Sequence, residues 1–309
     1  MSAYAALRDR LDAGAVVVLD GPMGSELVRR GVRWRQHGLR TDADAVQALH
    51  RDYLQAGADV LRTNTFQLNR RTYQDVFRDA DHLRHIGAPG LERRVPELIP
   101  RAVSLALAAR ADAGATHVPL AGVISPLEHC FRPDLAPSFD RARAEHGEIA
   151  SMLASAGVDF LMLESMNTAT EARAAVQAAS ATGLPVWVSF VVNDRGELLS
   201  GEPLRNAAHE LDVEAVLVNC APPEDISVGV RELSGRLFGA YAHVGKFDPP
   251  SWKFEFVAQF TETETWPPDR YAQTVATWID AGARIVGGCC GTNAEHVRAL
   301  KALLAGVAA

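Results

Sequence analysis

The sequence of 309 residues lacks several features that would place it in a specialised class of protein. It has no apolar run near the roughly 18 residues that a membrane-spanning helix needs. The first residues carry charges and have no apolar core like that of a signal peptide. Basic residues number 31 against 38 acidic ones, for a net charge of -7, which disfavours the broad basic surface that nucleic acids require. We therefore expect a cytoplasmic protein that binds neither membranes nor nucleic acids.

Cysteine is scarce as well, with four in the whole chain, so the sequence is not a disulfide scaffold. Two of the four, Cys289 and Cys290, are adjacent in the stretch Arg284–Thr292, which reads RIVGGCCGT. Successive side chains of a strand point to opposite faces, so both thiols can serve one site only where the backbone bends. The flanking glycines permit such a bend. Two thiolates at one turn are two thirds of a three-ligand zinc site.

Short apolar runs alternate with helical stretches along the chain, and several helices end in Gly-Ala or Gly-Val before the next strand. Eight such units in about 300 residues predict an α/β fold, a (β/α)8 TIM barrel that forms a single domain over residues 1–309. A doubly wound open sheet is the rival, but the turn after the first strand, DGPMG, is not its glycine-rich phosphate fingerprint. The predicted strands are Ala15–Leu19, Asp59–Arg62, Val118–Ile124, Phe160–Leu163, Val186–Val192, Ala215–Val218, Leu237–Ala242 and Arg284–Val286.

Functional residues of such a barrel lie at the carboxyl ends of the strands. Cys220 ends the sixth strand and the cysteine pair ends the eighth, so three thiols are predicted to meet at one rim. Three thiolates bind Zn²⁺ and leave one tetrahedral position open, as catalytic zinc sites do. A thiol substrate in that position would lose its proton, whereas a free thiol of pKa ~8.5 is mostly protonated at neutral pH. The pattern therefore predicts alkyl transfer onto sulfur.

Simpler interpretations exist for each of these residues. Cys220 alone could be a small buried hydrophobe. Asp20, which precedes a glycine, could bind turn amides, and Glu164 could cap a helix. Carboxylates at the rim are also what would hold a substrate ammonium. Cys130, in the loop after the third strand, and His243 are expected to have structural or incidental roles.

Five motifs together resemble the homocysteine S-methyltransferase family, which includes enzymes dependent on S-methylmethionine or betaine and the homocysteine-binding module of cobalamin-dependent methionine synthase. The resemblance spans residues ~15 to ~300, with the motifs in order and at fitting separations. The motifs are Asp20–Leu27 (DGPMGSEL), Gly57–Asp59 with Thr63–Phe66 (GAD and TNTF), Glu164 with Glu171-Ala172, Val218–Cys220 (VNC) and Gly287–Thr292 (GGCCGT).

The resemblance implies a barrel in which Cys220, Cys289 and Cys290 hold Zn²⁺ and take part in catalysis through it. It implies that Asp20 and Glu164 help to hold the amino end of homocysteine. The segments around Gly21 to Met23 and Thr63 to Phe66 match the surroundings of the amino acid and its carboxylate. The implied substrate-binding residues are Asp20, Gly21, Met23, Thr63, Phe66, Glu164 and Asn219.

The donor side departs from the family pattern. Betaine-dependent members carry aromatic residues that cage the quaternary ammonium at two places where this chain has Gln67 and Ser165, although Trp34 remains in the first loop. Pro22 stands where the family has a small residue and removes one backbone N–H from the first turn. The loops after the third and seventh strands differ too. Betaine is therefore disfavoured, and S-methylmethionine or S-adenosylmethionine is the expected donor.

The leading hypothesis is zinc-dependent transfer of a methyl group from an onium donor to the thiol of homocysteine, giving methionine. Two alternatives remain: a methyltransferase that uses another small thiol or a betaine-like donor, and a zinc-holding barrel that binds a thiol or a partner without turnover. A homo-oligomer is possible. Residues 245–268, rich in proline and tryptophan, are predicted to form a lid or a subunit contact.

Overall fold

A computed structural model describes residues 2–32, 35–73, 90–244, 246–247, 260–261 and 266–307. Trp34 and most of the 245–268 segment, with its predicted role as lid or subunit contact, lie outside the described residues. The strands are β1 Val17–Val18, β2 Leu61–Arg62, β3 Leu120–Ile124, β4 Phe160–Met166, β5 Val186–Phe190, β6 Ala215–Asn219, β7 Phe238–Tyr241, β8 Lys246–Phe247, β9 Phe260–Thr261 and β10 Ile285–Val286. The α-helices are α1 Ala3–Asp12, α2 Gly24–Arg29, α3 Ala43–Gln55, α4 Val95–Asp112, α5 Phe139–Ala156, α6 Ala169–Ser180, α7 Leu204–His209, α8 Pro223–Glu232, α9 Pro268–Asp280 and α10 Ala294–Val307.

Eight parallel strands form one sheet in the order β1-β10-β7-β6-β5-β4-β3-β2. A parallel bridge between Leu19 and Val60 joins the two outer strands and closes the barrel. The predicted (β/α)8 barrel is therefore confirmed. Strands β8 and β9 pair with each other in antiparallel fashion outside this sheet. Gly157 and Gly282 end their helices at φ angles of 94° and 107°, a left-handed conformation that glycine adopts without strain.

Alternate residues of the strands point into the barrel and fill it with apolar side chains. Helix α1, which the sequence analysis did not predict, packs against the amino ends of these strands. Tyr4 of this helix accepts a hydrogen bond of 3.0 Å from Trp187 Nε1, and its ring centroid lies 5.0 Å from that of Phe160. The helix thus closes the amino end of the barrel. The side chains that fill the barrel, together with those of α1, form one hydrophobic cluster, called here the inner cluster. It consists of Tyr4, Leu7, Leu11, Val17, Leu19, Val60, Ala121, Phe160, Met162, Trp187, Ala215, Leu217, Tyr241 and Ile285.

The same alternation places polar side chains at the carboxyl end of the barrel. In four strands, the residue two positions after an inward-facing apolar residue is polar and buried. These groups form a polar layer above the apolar filling, and this layer is where the site lies. Its members are Arg62, Glu164, Ser189 and Asn219. Among the described residues, none of the helices is both long and apolar enough to cross a bilayer.

Candidate metal and substrate site

Three thiols from two separate strands meet at the carboxyl rim. The Sγ atoms of Cys220, Cys289 and Cys290 all lie within 4.8 Å of one another. They meet because β6 and β10 are the two neighbours of β7 in the sheet. Backbone hydrogen bonds extend this pairing past the strands, from Cys220 N to Tyr241 O (3.4 Å) and from Cys289 N to Ala242 O (2.9 Å). The carbonyls at the end of β7 and just after it therefore hold Cys220 on one side and Cys289 on the other.

The turn that carries the cysteine pair is held tightly. Thr292 Oγ1 donates a hydrogen bond of 2.8 Å to the Cys289 carbonyl. A Cβ atom at position 288 would lie 2.1 Å from that hydroxyl oxygen, so Gly288 is the residue that this approach requires. Gly291 has a φ of 83°, in the left-handed region. These contacts give the backbone the bend that the flanking glycines predicted.

Three non-glycine residues on the rim have left-handed backbone conformations. Gln67, Ser165 and Cys220 have φ angles of 58°, 62° and 54°. Such conformations cost free energy and are concentrated at functional sites. The side-chain amide of Gln67 and Oδ1 of Asn219 are buried, and neither has a hydrogen-bond partner among the described residues. Buried polar atoms normally have partners, so these atoms suit a polar ligand.

Arg62, which the sequence analysis passed over, pairs with both predicted carboxylates. Its Nε lies 2.6 Å from Asp20 Oδ1, and its Nη1 lies 2.5 Å from Glu164 Oε1. Its Nη2 donates to the carbonyls of Asp20 (2.7 Å) and Gly288 (3.1 Å), the second of which precedes the cysteine pair. All three side chains are buried. A cation at an inward-facing strand position is the signal that could have pointed to this role.

Tyr241 extends this cluster across the barrel. Its hydroxyl donates to Glu164 Oε1 at 3.0 Å and lies 2.8 Å from Ser189 Oγ. The Arg62 guanidinium lies 5.1 Å from the centroid of the tyrosine ring. Burial raises the pKa of Asp20 to about 6 and also raises that of Glu164, while the charge of Arg62 opposes both shifts. The pair of carboxylates is thus held by one guanidinium inside a low-dielectric layer.

The remaining predicted substrate residues lie along the same rim. The Thr63 hydroxyl accepts a hydrogen bond of 2.9 Å from Val123 N, and Phe66 is half-buried. Gly21 packs so closely on a tyrosine of α3 that an added Cβ would lie 2.5 Å from its ring. Met23 is buried at the start of α2. Asn219 Nδ2 donates a hydrogen bond of 2.7 Å to the hydroxyl of the residue at position 165. The roles of these residues as substrate contacts stay predictions.

The thiols influence one another. Hydrogen bonds from Cys220 and Cys290 lower the pKa of the Cys289 thiol well below its usual value, and the charge of Arg62 acts in the same direction. Hydrogen bonding with Cys289 raises the pKa of Cys220. Burial raises the pKa of Cys130 to about 12, and the charge of Cys289 adds to this shift. The fourth cysteine therefore lies buried within electrostatic reach of the adjacent pair Cys289 and Cys290.

His243, which follows β7, is buried on the same side of the barrel. Its backbone N–H donates to the Ala221 carbonyl at 3.2 Å and so extends the pairing of β6 with β7. Burial lowers the pKa of its imidazole, and the charge of Cys289 opposes this shift. The imidazole therefore lies within electrostatic reach of the Cys289 thiol.

Comparison with known proteins shows the family. The chain matches the family model described as homocysteine S-methyltransferase over residues 17–304. The homocysteine S-methyltransferase YbgG of Bacillus subtilis is 28% identical over 325 residues, covering 94% of this chain and 95% of that protein. The homocysteine S-methyltransferase of Escherichia coli is 27% identical over 321 residues, covering 98% and 99%. The crystal structure of the metallated form of the E. coli homocysteine methyltransferase MmuM matches with a TM-score of 0.76 and 26% identity, covering 96% of this chain and 99% of that one. This chain therefore belongs to the homocysteine S-methyltransferase family and is a methyltransferase.

Proposed function

We propose that this protein transfers a methyl group from an onium donor to the thiol of homocysteine, giving methionine, with zinc as its metal. The observation that carries the proposal is the cluster of three Sγ atoms within 4.8 Å of one another. Tetrahedral zinc, with Zn–S bonds of about 2.3 Å, places its sulfur ligands about 3.8 Å apart, a separation compatible with this cluster. Thiolate ligands also favour zinc over magnesium or calcium. The E. coli relative was solved in a metallated form, which supports a bound metal in this chain as well.

The residues of the site have complementary tasks. Cys220, Cys289 and Cys290 would hold the metal, and three protein ligands would leave one coordination position for a substrate thiol. Bound zinc would supply the Lewis acidity that removes the proton from a substrate thiol. Arg62 stabilises the thiolate form of Cys289 through its charge. The two carboxylates beside Arg62 suit the ammonium group of homocysteine, since when ionised they carry two negative charges against the single positive charge of the guanidinium.

The transfer itself needs little acid–base chemistry. A bond forms between the acceptor sulfur and the methyl carbon while the bond from that carbon to the positively charged donor atom breaks. The electron pair of the broken bond stays with the donor, which becomes neutral, and the proton of the thiol goes to solvent. No general acid is required, and the chain contributes by holding the two reactants in line.

The donor is proposed to be S-methylmethionine or S-adenosylmethionine. A quaternary ammonium such as betaine is best held by aromatic rings. Rim positions 67 and 165 carry a glutamine and a serine, both buried and both with left-handed backbones. We place the reaction in the cytoplasm, where reducing conditions keep thiols such as the four free cysteines of this chain available.

Replacing one metal ligand tests the proposal. We expect Cys290→Ala to lose bound zinc and to lower methionine formation more than about 100-fold. Substitutions of residues that merely orient metal ligands already lower metal affinity or activity by roughly 10–100-fold. Cys130→Ala is the matched control and should keep both properties, because its thiol is not one of the three clustered Sγ atoms. Zinc content is measured by atomic absorption. Methionine formation is assayed with homocysteine as the acceptor and with each member of a panel of sulfonium and ammonium donors. A Cys290→Ala protein that keeps zinc and turnover would rule out this mechanism.

A further inference from the structure

The side-chain amide of Gln67 is buried at the carboxyl rim without a protein partner. The residue is 3% exposed, and neither its Oε1 nor its Nε2 has a hydrogen-bond partner in the part of the chain that the structure describes. Burying an amide in this way costs free energy unless another molecule completes its hydrogen bonds. An amide has donors at Nε2 and an acceptor at Oε1. A ligand that satisfies both atoms therefore presents an acceptor and a donor side by side.

The backbone around Gln67 fixes the place of this amide. The residue has a φ of 58°, a left-handed conformation that costs free energy where a side chain is present. Its N–H donates a hydrogen bond of 2.9 Å to Ser125 Oγ, in the loop after β3. The N–H of the next residue, Leu68, donates to the Thr65 carbonyl at 3.0 Å. The amide is thus presented by a turn that the neighbouring loop holds in place.

This turn lies across the barrel from the thiol cluster. In the closed ring of strands, β3 is four strands from β7 in either direction. The thiols follow the two neighbours of β7, whereas Gln67 follows β2 and is bonded to the loop after β3. That loop also carries Cys130, whose thiol lies within electrostatic reach of Cys289 and Cys290. The loops after β2 and β3 therefore form a wall that stands opposite the thiols.

The geometry of methyl transfer decides which substrate would meet this wall. The acceptor sulfur, the methyl carbon and the leaving atom must lie in line, so the donor extends away from a sulfur held by the thiol cluster. The inner cluster fills the amino end of the barrel, which leaves the carboxyl mouth for the donor. A donor in the mouth, on the side away from the thiols, would lie against the loops after β2 and β3.

We propose that the Gln67 amide binds the amino-acid end of the methyl donor, with Nε2 donating to its carboxylate and Oε1 accepting from its ammonium. Gln67 is then a specificity-determining residue. It selects sulfonium compounds that carry both groups, such as S-methylmethionine and S-adenosylmethionine, over onium compounds that carry one of them. This inference deepens the proposed function and rests on it, because it takes an onium compound as the donor.

The test removes the amide and, separately, each group of the donor that it would bind. Zinc-loaded wild type and Gln67→Met are assayed for methionine formation from homocysteine with three donors. These are S-methylmethionine, 4-(dimethylsulfonio)butanoate, which lacks the amino group, and (3-aminopropyl)dimethylsulfonium, which lacks the carboxylate. Methionine is unbranched and similar in length to glutamine, so the backbone strain and the packing change little.

We expect the wild-type kcat/KM to favour S-methylmethionine over each analogue by roughly 10- to 100-fold, the value of a hydrogen bond to a charged group. Gln67→Met should lose most of both preferences and keep its KM for homocysteine. Gln177→Met, at an exposed position of α6, is the matched control and should keep both preferences.

Thermal unfolding without substrates separates a binding role of the amide from a structural one. Gln67→Met removes a buried amide that has no protein partner, so we expect it to unfold at the wild-type temperature or above it. A lower unfolding temperature, or a variant that does not fold, would assign the amide a structural role and overturn the inference.

The other kinetic outcomes are equally decisive. A wild type without the two preferences, or a Gln67→Met protein that retains either of them in full, contradicts the double contact. A raised KM for homocysteine with unchanged donor preferences would assign the amide to the acceptor instead. All of these results leave the proposed function intact, because methionine still forms. A wild type that forms no methionine from any onium donor contradicts the proposed function and the inference with it.

Discussion

At the scale of single residues, the four cysteines differ in reactivity because their surroundings differ. Cys289 is half-buried, and hydrogen bonds from its neighbours lower its pKa. Cys130 is 6% exposed, and burial raises its pKa to about 12. Thiolates rather than thiols attack alkylating reagents. We therefore expect brief treatment of the folded, chelator-treated protein with iodoacetamide at neutral pH to modify Cys289 more than about 100 times faster than Cys130.

Quantitative mass spectrometry of the two cysteine peptides measures this difference. The same treatment in denaturant is the control and should equalise the two rates, since unfolding removes both the burial and the hydrogen bonds. Equal rates in the folded protein would mean that Cys130 is far more accessible than its buried position indicates.

At the scale of elements, α1 is part of the barrel core although it precedes the first strand. Leu7 is 3% exposed and packs in the inner cluster, whereas Asp9 on the same helix is exposed. We expect Leu7→Ala to lower the free energy of unfolding by about 2–5 kcal/mol, the usual cost of deleting a buried leucine side chain. Asp9→Ala is the matched control on the same helix, with an expected change within about 0.5 kcal/mol.

Urea unfolding followed by tryptophan fluorescence measures both variants. Trp187, one of five tryptophans in the chain, lies in the inner cluster and donates a hydrogen bond to Tyr4 of α1, so part of the signal reports on the end of the barrel that this helix closes. If Leu7→Ala costs no more than Asp9→Ala, the helix is not part of the cooperative core.

At the scale of the whole molecule, the thiol cluster joins two parts of the chain that are far apart in sequence. Cys220 follows β6 and the cysteine pair follows β10, and the three thiols come within 4.8 Å in the folded barrel. A metal that binds the folded chain and not the unfolded one stabilises it. We expect zinc at a hundredfold excess over its Kd to raise the free energy of unfolding by about 2.7 kcal/mol.

Thermal unfolding with zinc and with chelator measures the effect. Cys220→Ala serves as the control and should unfold at the same temperature in both conditions, because it lacks the ligand that bridges the two strands. A zinc-dependent shift of equal size in this variant would place the stabilising ion elsewhere in the molecule.

Much of the barrel follows from local pattern. The buried strands are short apolar runs, and each is bounded by glycine or by polar residues that break it. The strand ends differ by a few residues from prediction, because ladder hydrogen bonds form only where neighbouring strands are in register. Strand β4 runs on through Met166, past an irregularity after Leu163. The meeting of Cys220 with Cys289 was predictable as well, because carboxyl ends of parallel strands share one rim.

The sequence by itself determined the alternation of the eight barrel strands with helices, the rim on which the polar residues lie and the three candidate metal ligands, since these depend on periodicity and on the direction of parallel strands. The tertiary structure alone decided which charges meet. Arg62 lies 42 residues from Asp20 and 102 from Glu164 in sequence, and no local pattern couples them. Their pairing arises because the closed barrel turns these three side chains into one buried layer, where unpaired charges are too costly to persist.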